Sequence, residues 1–404
     1  MKKHNIAILG FGVVGGGVAS LVTENKKELE KYTGANIEIL HILDLRDFPD
    51  SPFADLVTHD FGDIVNDPEV HTVIEAMGGS HPAYEYTVAA LKAGKNVITS
   101  NKEVVANFGD EFVALAEKNR VSYRFEAAVG GGIPVISPLL NCVRQNKVKE
   151  VRGILNGTTN YILTQMFDYG ASFDDALKDA QAKGYAESNP DADILGTDAA
   201  RKITILTALA SDKLLKVDNI PKEGITAIRS EDVKAAERTG CKIKLLGRCI
   251  ARDNGDPFVM VAPFLVPEHS ALGGVNGVYN AIEFIGEPLG NVMFYGPGAG
   301  AGATASAVVG DLIPIIAYDS FNPIVPGFNP SDYSAKEAFG DFACKHYVAL
   351  PLADAEKARK IFGNIVIIDS DDPLAFITDE ITEESYQAAI ASLGVSPLSH
   401  IRFV

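Results

Sequence analysis

The chain has 404 residues, 47% hydrophobic and 22% charged, an ordinary globular composition with length for two or three domains. A formal net charge of −17 with no basic run argues against nucleic acid or an anionic membrane as partner. Four cysteines (Cys142, Cys241, Cys249 and Cys344) without metal-type spacing read as reduced thiols of a cytoplasmic protein. No signal-peptide core or membrane-length apolar run interrupts this reading.

In chain order, Asn5–Leu9 reads as a buried strand, followed by a glycine loop and a helix from about Val14 to Lys31. Ile37–Leu45, Thr72–Glu75, Asn96–Thr99 and Ser122–Glu126 read as further strands, with helices over Tyr84–Ala93 and Lys102–Asn119 between them. This alternation predicts an α/β fold opening with a doubly wound, mostly parallel sheet of Rossmann type. Residues 1–134 form that dinucleotide-binding domain, completed by a returning helix, Thr304–Tyr318, within about 300–322. Residues 135–300 read as an α+β substrate-binding and dimerisation domain. It includes strands Val148–Leu155 and Pro257–Leu265 and helix Asp198–Ala210. Residues 323–342, following a proline-rich stretch from Phe321, read as a linker. Residues 343–404 have the order βαββαβ of a ferredoxin-like module: strand Tyr347–Pro351, helix Asp354–Phe362, strands Ile365–Asp369 and Leu374–Asp379, helix Glu383–Leu393 and strand Ser399–Val404.

The loop Gly10-Phe11-Gly12-Val13-Val14-Gly15 has the G-x-G-x-x-G spacing directly after a strand and at the start of a helix. The first glycine permits a tight turn, the second the approach of a pyrophosphate, and the third close helix packing. The helix N-terminus then favours the anionic phosphates. Past the second strand, Asp44 suits the ribose hydroxyls of NAD, whereas Arg46 suits the 2′-phosphate of NADP. The position of Arg46, where the strand should end, favours NADP, although either side chain can equally be a solvated loop charge.

Ser100-x-x-Glu103 has capping-box spacing, which starts a helix near Asn101 and puts Lys102 in its first turn. A cation there opposes the helix dipole, and this suggests a role beyond solvation. In the second domain, Asp198, Lys202, Ile205 and Leu209 fall on one helical stripe. A lysine among apolar residues, paired with a carboxylate one turn earlier, suits general acid–base chemistry. The bland alternative is a surface i,i+4 ion pair. Glu187 and Asp193 add acidic groups upstream, fit for a substrate ammonium or simply for solvent.

These segments, with Thr99–Val105 (TSNKEVV), Phe125–Pro134 (FEAAVGGGIP), Asn156–Thr164 (NGTTNYILT), Gly184–Lys202 (GYAESNPDADILGTDAARK) and Tyr295–Gly300 (YGPGAG), appear in the order found in homoserine dehydrogenases. Over residues 1 to about 320 the chain resembles that family. The resemblance implies NAD(P)-dependent interconversion of L-homoserine and L-aspartate 4-semialdehyde, in threonine, methionine and isoleucine biosynthesis. It implies Lys202 as proton donor, Lys102 as a second essential lysine beside the nicotinamide, and Asp198 as the group orienting Lys202. It further implies substrate contacts from Glu187, Asp193, Asp198, Gly157 and Thr158. Cofactor contacts would come from the glycine loop, Arg46, Thr99, Lys102, Gly184 and Gly300. A structural sodium ion is implied at Glu126 and the carbonyls of Val129, Gly131 and Ile133, in a turn whose glycines can expose oxygens to a hard cation or act only as a hinge. Homodimers or homotetramers are implied as well. The tail resembles the ACT modules of bacterial relatives, yet its first strand leads into Leu352-Ala353-Asp354-Ala355-Glu356 without an Asp-x-x-Gly effector loop. That departure puts threonine control in doubt.

Two rival functions remain at this point. An aspartate-semialdehyde dehydrogenase would need a nucleophilic cysteine, for which Cys142 is the only one near the domain junction. A non-catalytic NAD(P)-sensing regulator would keep the glycine loop and lose the lysines.

Overall fold

The computed structural model describes residues 2–318, 327–351, 355–369 and 373–404. The chain divides into two compact units. The first comprises residues 1–146, 204–214 and 296–331, the second residues 147–203, 215–295 and 332–404.

In the first unit, strands β1 (Lys2–Leu9), β2 (Ala35–Leu43), β3 (Val57–Thr58), β4 (Val70–Glu75), β5 (Asn96–Thr99) and β6 (Tyr123–Arg124) form one sheet in the order β3-β2-β1-β4-β5-β6. All five pairings are parallel. This is the doubly wound order that places ligands beyond the carboxyl ends of the strands. Ile6–Leu9 of β1 and Val73–Ile74 of β4 are fully buried, as expected for central strands of a parallel sheet covered on both faces. Helix Ala301–Ala317 returns to this unit, burying Ala305, Val308, Leu312 and Ile316 against Val18 and Val22 of helix Val13–Glu24. The long helix read from Val14 to Lys31 is broken at Asn25 into Val13–Glu24 and Lys26–Thr33. The strand read over Ser122–Glu126 stops at Arg124, where a 3₁₀ turn over Glu126–Ala128 takes over.

The second unit is built on a nine-stranded sheet. Its strands are β7 (Lys147–Ile154), β8 (Cys241–Ile250), β9 (Phe258–Pro267), β10 (Tyr279–Glu287) and β11 (Gly290–Pro297). After the short β12 (Ala343–Cys344) come β13 (His346–Leu350), β14 (Ile365–Asp369), β15 (Leu374–Thr378), the short β16 (Ile381–Thr382) and β17 (Ser399–Phe403). The order is β11-β10-β7-β8-β9-β17-β13-β15-β14, with β12 and β16 paired apart. The tail therefore has the βαββαβ element order, with helices Ala355–Phe362 and Glu383–Leu393. Its sheet does not stand alone: β17 pairs in parallel with β9 at Arg402↔Phe264 and Phe403↔Leu265. Two polar clusters fasten this seam. Buried Arg402 donates to Glu383 and, at 2.8 Å through each terminal nitrogen, to Glu223. Buried Asp232 accepts from Ser399 at 2.5 Å and from Tyr347 at 3.1 Å. Residues 352–354, where an effector loop would fall, and 321–326 of the proline-rich stretch lie outside the described residues.

Candidate active site

The glycine loop behaves as its spacing requires. Gly10 sits at φ +90°, and a β-carbon there would stand 2.9 Å from the Ala76 carbonyl oxygen. A β-carbon on Gly15 would reach 1.9 Å from the Gly10 carbonyl oxygen, so only glycine fits. Gly12 faces open space. It precedes helix Val13–Glu24, whose first turn holds no acidic residue and whose amides receive no side-chain cap. That combination suits a pyrophosphate. Val13 is exposed and Val14 half-buried.

Beside the loop lies a cavity of about 460 Å³ lined by Gly10, Gly12, Asp44, Arg46, His59 and Tyr86 among others. Asp44 accepts from the Phe11 amide at 2.8 Å and pairs with both Nε (2.9 Å) and Nη2 (3.1 Å) of Arg46. The Arg46 hydrogen bonds hold the Asp44 carboxyl down to about 2. The two residues weighed as alternatives thus form one ion pair, with Arg46 at the solvent edge. His59 was not foreseen. It stands where β3 ends, bonded to the Asp44 carbonyl oxygen at 2.7 Å and to the Asp47 carboxylate at 3.0 Å, and both partners raise its pKa. No local motif announces it, since only strand pairing brings it to Arg46.

Thr99 is fully buried, with its hydroxyl donating to Glu75 at 2.5 Å. Glu75, at the carboxyl end of β4, also accepts from the Met77 amide at 2.7 Å, and burial pushes its pKa up to about 7. The helix beginning at Lys102 is capped by Asn101, whose side chain accepts from the amides of Glu103 and Val104. Ser100 is not the cap, and Glu103 accepts instead from the Ser80 hydroxyl at 2.6 Å. Lys102 is the first helical residue and half-buried.

Glu75 sets a pH dependence. Its folded pKa lies above the usual carboxylate value, so the folded state holds a proton the unfolded chain releases. Its contribution is complete below about pH 4.5 and is lost as pH rises through about 7. Buried Asp311, also pushed up to about 7 by burial and by the neighbouring Glu126, acts in the same sense. Glu75→Gln keeps an acceptor for the Met77 amide. It should flatten this slope in urea unfolding followed from pH 5 to 8 and raise stability at pH 8 by about 1–3 kcal/mol. An unchanged slope would show that Glu75 is ionised without cost.

Glu126 is buried, and its carboxylate accepts from the amides of Val135 (2.6 Å), Ile136 (2.7 Å) and Ser137 (2.7 Å). Its own amide donates to Asp311 at 2.8 Å. The side chain thus anchors the helical start that follows the turn. Gly131 is needed for close approach, since a β-carbon there would meet the Gly298 carbonyl oxygen at 2.5 Å.

In the second unit, one chain of polar groups gathers most of the residues read as substrate-binding. Lys202 is buried, not part of a surface pair, and its ammonium donates to the Leu155 carbonyl oxygen and to Asp198, each at 2.7 Å. Asp198 also accepts from the Asn156 side-chain amide at 2.9 Å, and that same nitrogen donates to Asp193 at 2.7 Å. Burial, then the charge of Asp198, raises the pKa of Asp193. Asn156 is also a helix cap, since its Oδ1 accepts from the Thr159 amide at the start of helix Gly157–Tyr169. Gly157 and Thr158 open that helix, and the Thr158 hydroxyl donates to the Tyr185 carbonyl at 2.6 Å. Asn156 was missed as a site residue, although its place before Gly-Thr-Thr is an N-cap signal. Glu187 stands apart with an exposed side chain, in the loop that follows Gly184. Gly184 adopts φ +74° and is exposed; Gly300, in the first unit, adopts φ +124° ahead of helix Ala301–Ala317.

Cys142, the thiol required by the thioester alternative, is exposed and within the π-helical turn Leu139–Val143. No helix of the described residues is long and apolar enough to cross a membrane.

Known proteins resemble this chain over its whole length. Residues 10–126 match the family model "Homoserine dehydrogenase, NAD binding domain", and residues 134–313 match "Homoserine dehydrogenase". The homoserine dehydrogenase of Pseudomonas aeruginosa is 36% identical over 431 aligned positions, covering 100% of this chain and 99% of the relative. That of Neisseria gonorrhoeae is 42% identical over 319 positions, covering 78% of this chain and 73% of the relative. The crystal structure of a homoserine dehydrogenase from Thiobacillus denitrificans superposes with a TM-score of 0.91 at 34% identity, covering 100% of this chain and 99% of that one. A hyperthermophilic archaeal homoserine dehydrogenase mutant, solved in complex with NADPH, covers 80% of this chain and 100% of its own at a TM-score of 0.67 and 27% identity. Neither rival function gains support from these likenesses. The chain belongs to the homoserine dehydrogenase family, oxidoreductases that act on a CH–OH group with NAD(P) as acceptor.

Proposed function

We propose that Lys202 is the proton donor of this dehydrogenase, and that Asp198, Asn156 and Asp193 hold it and the substrate in place. The observation that carries the proposal is the buried Lys202–Asp198–Asn156–Asp193 chain. A bound nicotinamide supplies the hydride. As the aldehyde oxygen of L-aspartate 4-semialdehyde gains negative charge, Lys202 gives it a proton, and L-homoserine results. Asp198 fixes the lysine rotamer through their 2.7 Å ion pair. In the oxidative direction Lys202, neutral, takes the hydroxyl proton. Asp193 and exposed Glu187 are the carboxylates assigned to the substrate ammonium, and Gly157 and Thr158 contribute helix-start amides. Lys102 keeps the catalytic assignment implied by the family resemblance.

NADP is the preferred cofactor in this reading, with NAD as a second acceptor. Arg46 and His59 supply two basic groups at the ribose end of the cavity, and Arg46 is the solvent-exposed member of its pair with Asp44, free to swing toward a phosphate at small cost. The archaeal relative solved with NADPH fits this choice. Arg46→Ala should raise KM for NADP about tenfold, the loss of one charge-assisted phosphate contact, while KM for NAD changes little. Equal effects on both cofactors, in initial rates of homoserine oxidation, would remove Arg46 from 2′-phosphate recognition.

A sodium ion at the glycine turn would meet the carbonyls of Val129, Gly131 and Ile133, with Glu126 offering its carbonyl, because three amides already occupy its carboxylate. The neighbouring buried Asp311 would gain from that charge, and the ion's role is structural. We place the enzyme in the cytoplasm as a homodimer or homotetramer. The tail is an ACT-like module whose role is assembly.

A further inference from the structure

Asp44, where β2 ends, holds two basic side chains at the nucleotide cavity. Its carboxylate accepts from Nε and Nη2 of Arg46, and its carbonyl oxygen faces Nδ1 of His59 at 2.7 Å. The other ring nitrogen of His59, Nε2, faces the Asp47 carboxylate at 3.0 Å. A neutral imidazole has one N–H and one acceptor nitrogen, so it can donate to only one of these two oxygens. Two oxygen partners therefore require the doubly protonated, cationic ring. The hydrogen bonds to the Asp44 carbonyl oxygen and then to Asp47 raise the pKa of His59, in the same sense as the geometry.

This cation contributes little to the fold. The side chains of His59 and Asp47 are 54% and 85% exposed, and an ion pair so exposed is weak. Exchanging Asp47 for a phosphate is therefore cheap, and a phosphate is the stronger acceptor. Asp44, Arg46 and Tyr86 are the other titratable groups on the cavity lining, and Asp47 stands against the ring. Asp60, next in the chain, is engaged by the Gly62 amide at 2.7 Å. Of these groups, His59 is the one whose ordinary pKa lies closest to neutrality. The charge that the cavity offers an anion thus changes with pH at this residue.

We propose that His59 makes the choice between NADP and NAD depend on pH: its cation adds a second contact to the 2′-phosphate, and loss of the ring proton withdraws that contact. The proposal rests on the reading that Arg46 receives the 2′-phosphate. Above about pH 7 a phosphate monoester is close to fully ionised, so there the change in charge comes from the protein. NADP should lose affinity relative to NAD as pH rises. The test is equilibrium titration of the full chain with NADPH and with NADH, followed by nicotinamide fluorescence from about pH 7 to 9. Ionic strength is held constant, because exposed charges are screened by salt. The quantity read is Kd for NADH divided by Kd for NADPH. It should fall by about five- to tenfold across the range, the worth of one charge-assisted hydrogen bond. His59→Gln should show the low ratio throughout, without a slope. His59→Lys, a cation over the whole range, should keep the high ratio throughout. A flat ratio in the wild type, or a slope that survives His59→Gln, overturns the proposal. Arg46→Ala tells the two failures apart. If it lowers the ratio at every pH while the wild type shows no slope, the 2′-phosphate reading stands and the role of His59 falls. If it leaves the ratio unchanged, the reading of the 2′-phosphate site falls, and the proposal with it.

Discussion

Replacing Lys202 by alanine is expected to lower kcat for homoserine oxidation by about 10²- to 10⁴-fold, the usual worth of a positioned acid–base group. Affinity for NADP should stay near wild type, because the glycine loop and Arg46 are untouched. Part of any effect will be structural. Asp198 is buried and would keep Asn156 as a donor but lose its cation, and breaking a buried pair is costly. Lys202→Arg separates the two contributions. Arginine retains the positive charge beside Asp198 but does not release a proton near neutral pH. The arginine variant should therefore recover most of the lost stability and little of the lost turnover. Recovery of turnover with arginine would show that Lys202 supplies charge alone, not a proton.

The second large effect is expected at the seam of the nine-stranded sheet. Arg402 is 1% exposed and lies between Glu383, equally buried, and Glu223. Arg402→Met would leave Glu383 without its cation, a change expected to cost about 3–5 kcal/mol. Urea unfolding should show this loss, and amide exchange should rise first in β17 and its partners β9 and β13. The double replacement Arg402→Met/Glu383→Met should regain much of the loss, since removing both charges also removes the desolvation cost. This carboxylate forms with Cys344 and His346 a buried trio within metal-ligating reach. Its engagement by Arg402 identifies the trio as structural. A stability loss below about 1 kcal/mol in the single variant would mean that the C-terminal strands do not depend on this ion pair.

Much of the fold was legible because its signals are local. The strand Asn96–Thr99 and helices Lys102–Asn119 and Glu383–Leu393 have the limits that apolar pattern and capping residues mark. Where a signal was shared between neighbours, the reading slipped. Ser100 and Asn101 are both good caps, and the structure uses Asn101. The break at Asn25 was missed because Leu21, Val22 and Leu29 continue an apolar pattern through it. The tail's strand order follows from its sequence, whereas the pairing of β17 with β9 joins residues over 130 positions apart and has no local mark.

The site divides along the same line. Gly10, Gly12 and Gly15 announce themselves by spacing, and Asp198 and Lys202 by a helical interval. Asn156 joins Asp193 to Asp198 across 37 and 42 positions, and Asp311 meets Glu126 across 185. Such contacts depend on the tertiary fold. The carboxylate of Glu126 illustrates a further limit. Its residue type suggested a cation ligand, and no local pattern announced the three backbone amides that also bond it. An acidic residue before a helical turn serves those amides as readily as it serves a metal.

The most direct test of the central assignment is a crystal structure of the enzyme with NADP and L-homoserine. The assignment requires the substrate hydroxyl oxygen to lie within hydrogen-bonding distance of Lys202 Nζ, with Asp198 still paired to that lysine. A substrate bound with its hydroxyl on another acid–base group, and Lys202 Nζ held only by Leu155 and Asp198, would contradict it.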